Sequence, residues 1–125
     1  MRLLLDTCAL IWWQANHPRI APQIGLIQRT PQVHVSVISM VEMTVKIGLG
    51  KLRLDLDTAY DALRADRFTL LPIEQRHLTQ QLELSEHHRD PFDRLIIAQA
   101  KTEELTILTA DKRFEAYGVD SIMMR

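Results

Sequence analysis

The sequence has a single cysteine, Cys8, and therefore no internal disulfide. Its fold must be held by packing, and this cysteine usage fits a reducing, cytoplasmic setting. Glycine and proline are scarce, at 4 and 5 residues, so no stretch reads as a flexible linker, and no internal repeat is visible. The chain also lacks an excess of positive charge: 15 basic against 16 acidic residues leave a net charge of −1. That excludes a protein that holds nucleic acid through bulk positive charge. Long hydrophobic runs are missing too. The most apolar stretch, Leu3 to Trp13, is interrupted by Asp6 and ends in Trp12 and Trp13. It is too short to span a bilayer and has no signal-peptide cleavage site, so no membrane association is expected.

What remains is an ordinary globular composition, 46% hydrophobic and 25% charged, with enough chain for one core and not two. Arg2-Leu3-Leu4-Leu5 is a short continuous apolar run, as expected of a strand buried on both faces. Val33–Ser36, Phe68–Leu71 and Thr106–Thr109 read as further strands, with Val119–Met123 as a last edge strand. Helices are expected between them. In Ile38–Leu49 the residues Ile38, Val41, Val45 and Leu49 form an apolar stripe, and Gly48 and Gly50 supply a stop. Leu56–Asp66 and Gln75–Leu84 read as amphipathic. Phe92–Thr102 begins sharply at Asp90-Pro91, an acidic cap followed by proline at the first helical position. Lys112–Tyr117 is a short final turn. Strands alternating with helices predict an α/β fold with a parallel sheet covered on both faces, whose strand ends share one rim.

Four acids fall at that rim. Asp6 follows the first strand, Glu42 lies one turn into the helix after the second, Asp93 lies in the first turn of the helix before the fourth, and Asp111 follows the fourth. Each also has an ordinary structural reading. Asp6 fits a helix cap; Ser39 to Glu42 fits a capping box, with Lys46 as an ion-pair partner; Asp93 fits an N3 acid; and Thr109 fits a cap ahead of Asp111. Taken together they point elsewhere. Two unit charges roughly 4 Å apart interact by about 4 kcal/mol at an effective dielectric of about 20. Several carboxylates on one rim therefore repel or raise one another's pKa unless a cation sits among them. Hard oxygen donors suit Mg²⁺ or Mn²⁺, which also bind phosphate oxygens.

At these residues the sequence resembles a known family. Leu4-Leu5-Asp6-Thr7, Val41-Glu42, Asp93 followed by Ile96, Ala98 and Ala100, and Thr109-Ala110-Asp111 resemble the PIN-domain pattern in order and spacing. The likeness to VapC-type toxins of type II toxin–antitoxin systems is closer. It extends through Trp12-Trp13, Lys46-Ile47-Gly48-Leu49-Gly50-Lys51-Leu52 and His87-His88-Arg89-Asp90-Pro91-Phe92-Asp93-Arg94. The resemblance implies a single PIN domain over 1–125, with a Rossmann-like three-layer α/β/α architecture around a mostly parallel sheet of four to five strands. It further implies a metal-dependent endoribonuclease that is a homodimer and is masked by a VapB-type antitoxin. Asp6, Glu42, Asp93 and Asp111 are carried over as the catalytic acids. Asp6 and Asp93 are expected to hold Mg²⁺ (or Mn²⁺) directly, and Glu42 and Asp111 through water. Arg94 and Thr109 are candidates for contact with the RNA substrate, although a solvated helix position suits Arg94 equally well. Arginine on the antitoxin would replace the metal's charge among the acids.

Other features carry less. His87-His88 is expected to be loop structure or a phosphate contact rather than a metal site, and Asp90 a cap. Gly50-Lys51 is a helix stop, because a phosphate loop precedes its helix and needs Ser or Thr where Leu52 stands. A haloacid-dehalogenase-like phosphatase needs a second aspartate where Cys8 lies, and a receiver domain needs an aspartate where Leu71-Pro72 lies. The alternatives left open are a catalytically silent PIN-fold interaction module and a Mg-dependent phosphohydrolase with an acidic pocket.

Overall fold

The computed structural model describes residues 1–124; Arg125, the last residue of the expected domain, lies outside them. Its centre is β1 (Arg2–Leu5), in which Leu3, Leu4 and Leu5 are fully buried. Alternate side chains of a strand point to opposite faces. Leu3 and Leu5 accordingly join the core on one side of the sheet and Leu4 the core on the other. The remaining strands are β2 (Gln32–Ser36), β3 (Thr69–Leu71), β4 (Thr106–Thr109) and β5 (Ser121–Met123). All five run parallel, in the order β3-β2-β1-β4-β5. The expected strands are all present, and even the edge strand β5 is parallel, pairing Leu108 with Ile122.

Six α-helices join them: α1 (Thr7–Gln14), α2 (Ile24–Arg29), α3 (Val37–Gly48), α4 (Leu56–Ala65), α5 (Gln75–Glu83) and α6 (Pro91–Glu103). Two 3₁₀ segments add to these, Pro18–Gln23 and Lys112–Tyr117. One core packs α1 to α4 against Leu3, Leu5, Val33, Val35 and Leu108. The other packs α6 and the 3₁₀ residues Phe114 and Tyr117 against Leu4 and Ile107. The last four α-helices match expectation to within one residue at every end. The region from Thr7 to Arg29 does not: α1, α2 and the 3₁₀ turn between them left no periodic trace, because α1 is apolar on nearly every side and the rest is short and broken by Pro18, Pro22 and Gly25.

Helix α3 corrects two expectations. Its N-cap is Ser36, whose hydroxyl accepts from the Ile38 N–H at 3.0 Å, so Ser39 and Glu42 form no capping box. Ser39 is instead fully buried and accepts a hydrogen bond from the Thr7 hydroxyl at 3.0 Å. The inward stripe is also different: Ile38, Met40 and Met43 are buried, whereas Val41, Val45 and Leu49 are exposed. Starting the helix one residue earlier does not rotate it. Apolar spacing alone does not mark the buried face here, because Met40 and Met43 on the neighbouring face make the core. The stop is as expected, with Gly50 at φ +72°, a left-handed conformation in which a side chain would be strained.

This strand order has a consequence for function. The chain moves from β1 to β2 and β3 on one side, then returns to place β4 on the other side of β1. The reversal opens a crevice beyond the carboxyl ends of β1 and β4, where ligands of open α/β sheets usually bind.

Candidate active site

Asp6 leaves the end of β1 directly at that crevice and caps α1, accepting from the Ala9 N–H at 2.8 Å. Its cap role is therefore real, yet it occupies one oxygen only. The other, Oδ2, accepts the hydroxyl of Thr109 at 2.6 Å, and Thr109 in turn accepts the Asp111 N–H at 3.0 Å. Thr109 is fully buried at the end of β4. Its hydroxyl is committed on both sides, bonding Asp6 and the Asp111 N–H, rather than standing free for the substrate contact suggested by the sequence.

Asp93 lies in the first turn of α6, whose cap is Asp90, accepting from the Phe92 and Asp93 N–H groups at 2.9 and 3.1 Å. Glu42 lies on α3, with Oε2 3.1 Å from the Lys46 ammonium. Its second oxygen, Oε1, is buried and has no hydrogen-bond partner. Asp6, Glu42, Asp93 and Asp111 together line one cleft of about 470 Å³, as the sequence predicted. Arg19, Lys46 and Lys112 contribute its cations.

The electrostatics divide the four acids. Burial pushes the carboxyl of Asp6 up to about 7; the Thr109 and Ala9 hydrogen bonds oppose this, and the nearby Asp93 and Glu42 charges add to it. Burial likewise raises Asp93 to about 6, helped by the charges of Asp90 and Glu42 and opposed by His88. Asp111 behaves oppositely. Hydrogen bonds from Arg113, whose Nε and Nη2 lie 3.0 and 2.8 Å from its two oxygens, hold its pKa below the usual carboxylate value. Asp6 and Asp93 are thus raised and have no lysine or arginine in ion-pair contact among the described residues, whereas Asp111 has Arg113 and one Glu42 oxygen has Lys46.

These donors fit a divalent cation. They offer hard oxygens, one of them buried and unpartnered, and the carboxyls of Asp6 and Asp93 are raised chiefly by burial, with neighbouring acids adding to it, a state that a bound cation would relieve. Cys8 also lines the cleft, but burial and Asp6 push its thiol up to about 11, so it is protonated near neutrality and is a poor nucleophile.

Two sequence readings of neighbouring residues need correction. Arg94 does not line the cleft. Its guanidinium donates to the carbonyls of Gln81, Leu84, Ser85 and His88, at 2.9–3.2 Å, and so straps down the loop before α6. His88, read as loop structure, is buried against the site: its Nε2 lies 2.8 Å from Asp93 Oδ2 and 3.2 Å from Asp111 Oδ2. A signal for it did exist. Asp90-Pro91 turns the chain abruptly into α6, which folds a residue two before the cap back over the first helical turn, where Asp93 lies. Nothing in the sequence marked Arg19, which reaches the cleft because the 3₁₀ turn brings it within 4.5 Å of the Trp12 ring.

The sequence matches the PIN domain over residues 3–120, and the chain belongs to that family. PIN domains are generally nucleases. No curated protein sequence matches the chain. Among solved structures it is similar to VapBC2 from Rickettsia felis bound to a promoter DNA fragment, at 17% identity, TM-score 0.78 and full coverage of both chains. It is also similar to a toxin–antitoxin complex from Klebsiella pneumoniae, at 20% identity and TM-score 0.73, covering 97% of this chain and 96% of that one. FitAcB from Neisseria gonorrhoeae matches at 20% identity and TM-score 0.68, covering 96% of each chain. At these identities the likeness establishes the fold. No helix among the described residues is long and apolar enough to cross a membrane.

Proposed function

We propose that this protein is a Mg²⁺-dependent endoribonuclease and the toxin of a VapBC-type pair, acting in the cytoplasm. The observation that carries the reading is the buried, unpartnered Oε1 of Glu42 in a cleft where Asp6 and Asp93 also lack counter-charge. Asp6 and Asp93 would hold the cation directly, with Glu42 and Asp111 completing the site through water. When bound, the cation lowers the pKa of water and neutralises charge that builds on the phosphate. The chain's own groups do the rest. Glu42 Oε1, free of other partners, orients a water for in-line attack on phosphorus and accepts its proton. Lys46, Arg19 and Lys112 face the substrate from the cleft wall and attract its phosphates. As the bond from water to phosphorus forms, the P–O3′ bond breaks and the departing 3′-oxygen takes a proton from solvent, leaving a 5′-phosphate and a 3′-hydroxyl.

Resemblance to structures of toxin–antitoxin complexes supports a cognate VapB-type antitoxin, and the reading includes a homodimer. An antitoxin arginine inserted among the four acids would replace the cation's charge. The test uses purified protein, freed of antitoxin, on single-stranded and structured RNA. Cleavage should require Mg²⁺ or Mn²⁺ and be suppressed by the antitoxin; undiminished cleavage in excess EDTA would refute the metal-dependent reading.

A further inference from the structure

We propose that His88 is a positioning residue of the cleft: its Nε2–H donates to Asp93 Oδ2 and sets the direction in which that carboxylate presents its other oxygen. The proposal rests on the reading of these acids as cation ligands. Two sets of contacts assign the proton to the same nitrogen. The Asp90 N–H donates to Nδ1 at 3.3 Å, which requires a lone pair there. Nε2 is hydrogen-bonded to the Asp93 carboxylate at 2.8 Å, an acceptor, and lies 3.2 Å from an Asp111 oxygen that Arg113 already bonds. A neutral imidazole carries one N–H and one acceptor nitrogen, so the proton is on Nε2.

This decides between two roles. His88, Asp93 and Asp111 offer ligand atoms within 4.8 Å of one another, a grouping that by itself resembles a metal site. Coordination through Nε2 would move the proton to Nδ1, where it would meet the Asp90 N–H head on. His88 is therefore a donor to ligands and is not itself a ligand. Histidine and carboxylate groups that orient the ligands of a metal are worth nearly as much to a site as the ligands themselves.

The residue is held as a fixed donor must be. Its ring is buried, 6.0 Å from that of Phe114. Its carbonyl accepts from Arg94 at 3.2 Å and from the Tyr117 hydroxyl at 3.4 Å. Asp90, His88, Asp93 and Arg94 thus work as one local device: the cap fixes the ring's tautomer, the ring fixes Asp93, and the strap fixes the ring's main chain.

The test combines spectroscopy with cation binding on the full chain. In protein with ¹⁵N-labelled histidine, His88 should show a protonated Nε2 and an unprotonated Nδ1, both without and with Mg²⁺. The opposite tautomer, or loss of the Nε2 proton on adding Mg²⁺, would overturn the proposal. Calorimetric titration with Mn²⁺ should show binding weakened roughly 10–100-fold in His88→Phe. His88→Gln, whose amide NH₂ reaches the place of Nε2, should restore most of it. Unchanged binding by His88→Phe, or no recovery in His88→Gln, would overturn the positioning role while leaving the cation site intact. Absence of Mn²⁺ binding by the wild type would instead overturn the underlying reading.

Discussion

Helix α6 has a histidine wired to a carboxylate at each end, and the two ends differ in one respect that matters. Near its C-terminus, His77 takes the Glu74 N–H on Nδ1 at 3.0 Å and meets Glu103 Oε1 with Nε2 at 2.9 Å. Near its N-terminus, His88 takes the Asp90 N–H on Nδ1 and meets Asp93 with Nε2. Both rings are buried, and both sit in a group of three potential metal-binding side chains. At the His77 end, however, Arg76 bonds to both Glu74 and Glu103, so the negative charge is matched by a fixed cation. At the His88 end Arg113 matches Asp111, but Asp93 shares one cleft with Asp6 and Glu42 and has no such partner among the described residues, and Lys46 meets only one Glu42 oxygen. Clustered histidines and carboxylates therefore do not define a cation site. On the reading proposed above, carboxylate charge without a fixed partner is what draws the cation.

The largest effects should separate these two ends. Asp93→Asn should bring RNA cleavage below detection while the metal-free protein melts at the same temperature or higher, because a repelling charge has gone. Glu103→Gln should do the reverse. Cleavage measured below the melting transition should stay near wild type, whereas stability in denaturant titration should fall by about 1–3 kcal/mol as the His77–Arg76 network loses its centre. An inactive but stable Glu103→Gln would break the comparison.

The pH dependence sharpens it further. Asp6 and Asp93 have folded-state pKa values raised from 3.8 to about 7 and about 6. A carboxylate raised on folding binds its proton more tightly in the folded state, so its contribution is greatest below its unfolded pKa and falls as pH rises to the folded value. The metal-free protein should therefore lose stability between about pH 4 and pH 7 from these two groups. Asp6→Asn, which keeps the cap on α1, should make that slope shallower. Added Mg²⁺ needs the ionised acids, so its stabilising shift in melting temperature should be larger at pH 8 than at pH 5.5.

Smaller effects concern the supports. Thr109→Val removes the hydroxyl that bonds Asp6 and leaves the Asp111 N–H without its acceptor. Cleavage should drop roughly 10–100-fold with the fold retained by circular dichroism. Asp90→Asn should be the mildest change. Asparagine caps helices about as well, so stability should move by only a few tenths of a kcal/mol and most cleavage should remain.

Much of this was legible in the sequence for reasons that can be stated. The strand β1 announced itself as a continuous apolar run, and Asp90-Pro91 marked the start of α6 through cap and proline chemistry. The four acids were found because strand ends in a parallel sheet share one rim, so position along the chain translates into position in space. What failed to show was tertiary. The inward face of α3 depended on Met40 and Met43 finding a core, which made Val41 and Val45 the exposed side. Arg94, adjacent to a site acid in sequence, turns away to donate to carbonyls at the end of α5 and in the loop after it. His88 and Arg19 reach the site through turns whose course local spacing does not fix.

The central claim is that charge without a fixed partner at one end of α6 makes the cleft a divalent-cation site. It is tested most directly by titrating Mn²⁺ into the wild type, Asp93→Asn and Glu103→Gln in parallel by calorimetry. The account predicts binding by the wild type, loss of that binding in Asp93→Asn, and binding close to wild type in Glu103→Gln. Binding that survives Asp93→Asn and disappears in Glu103→Gln would contradict it, and would place the cation at the His77 end instead.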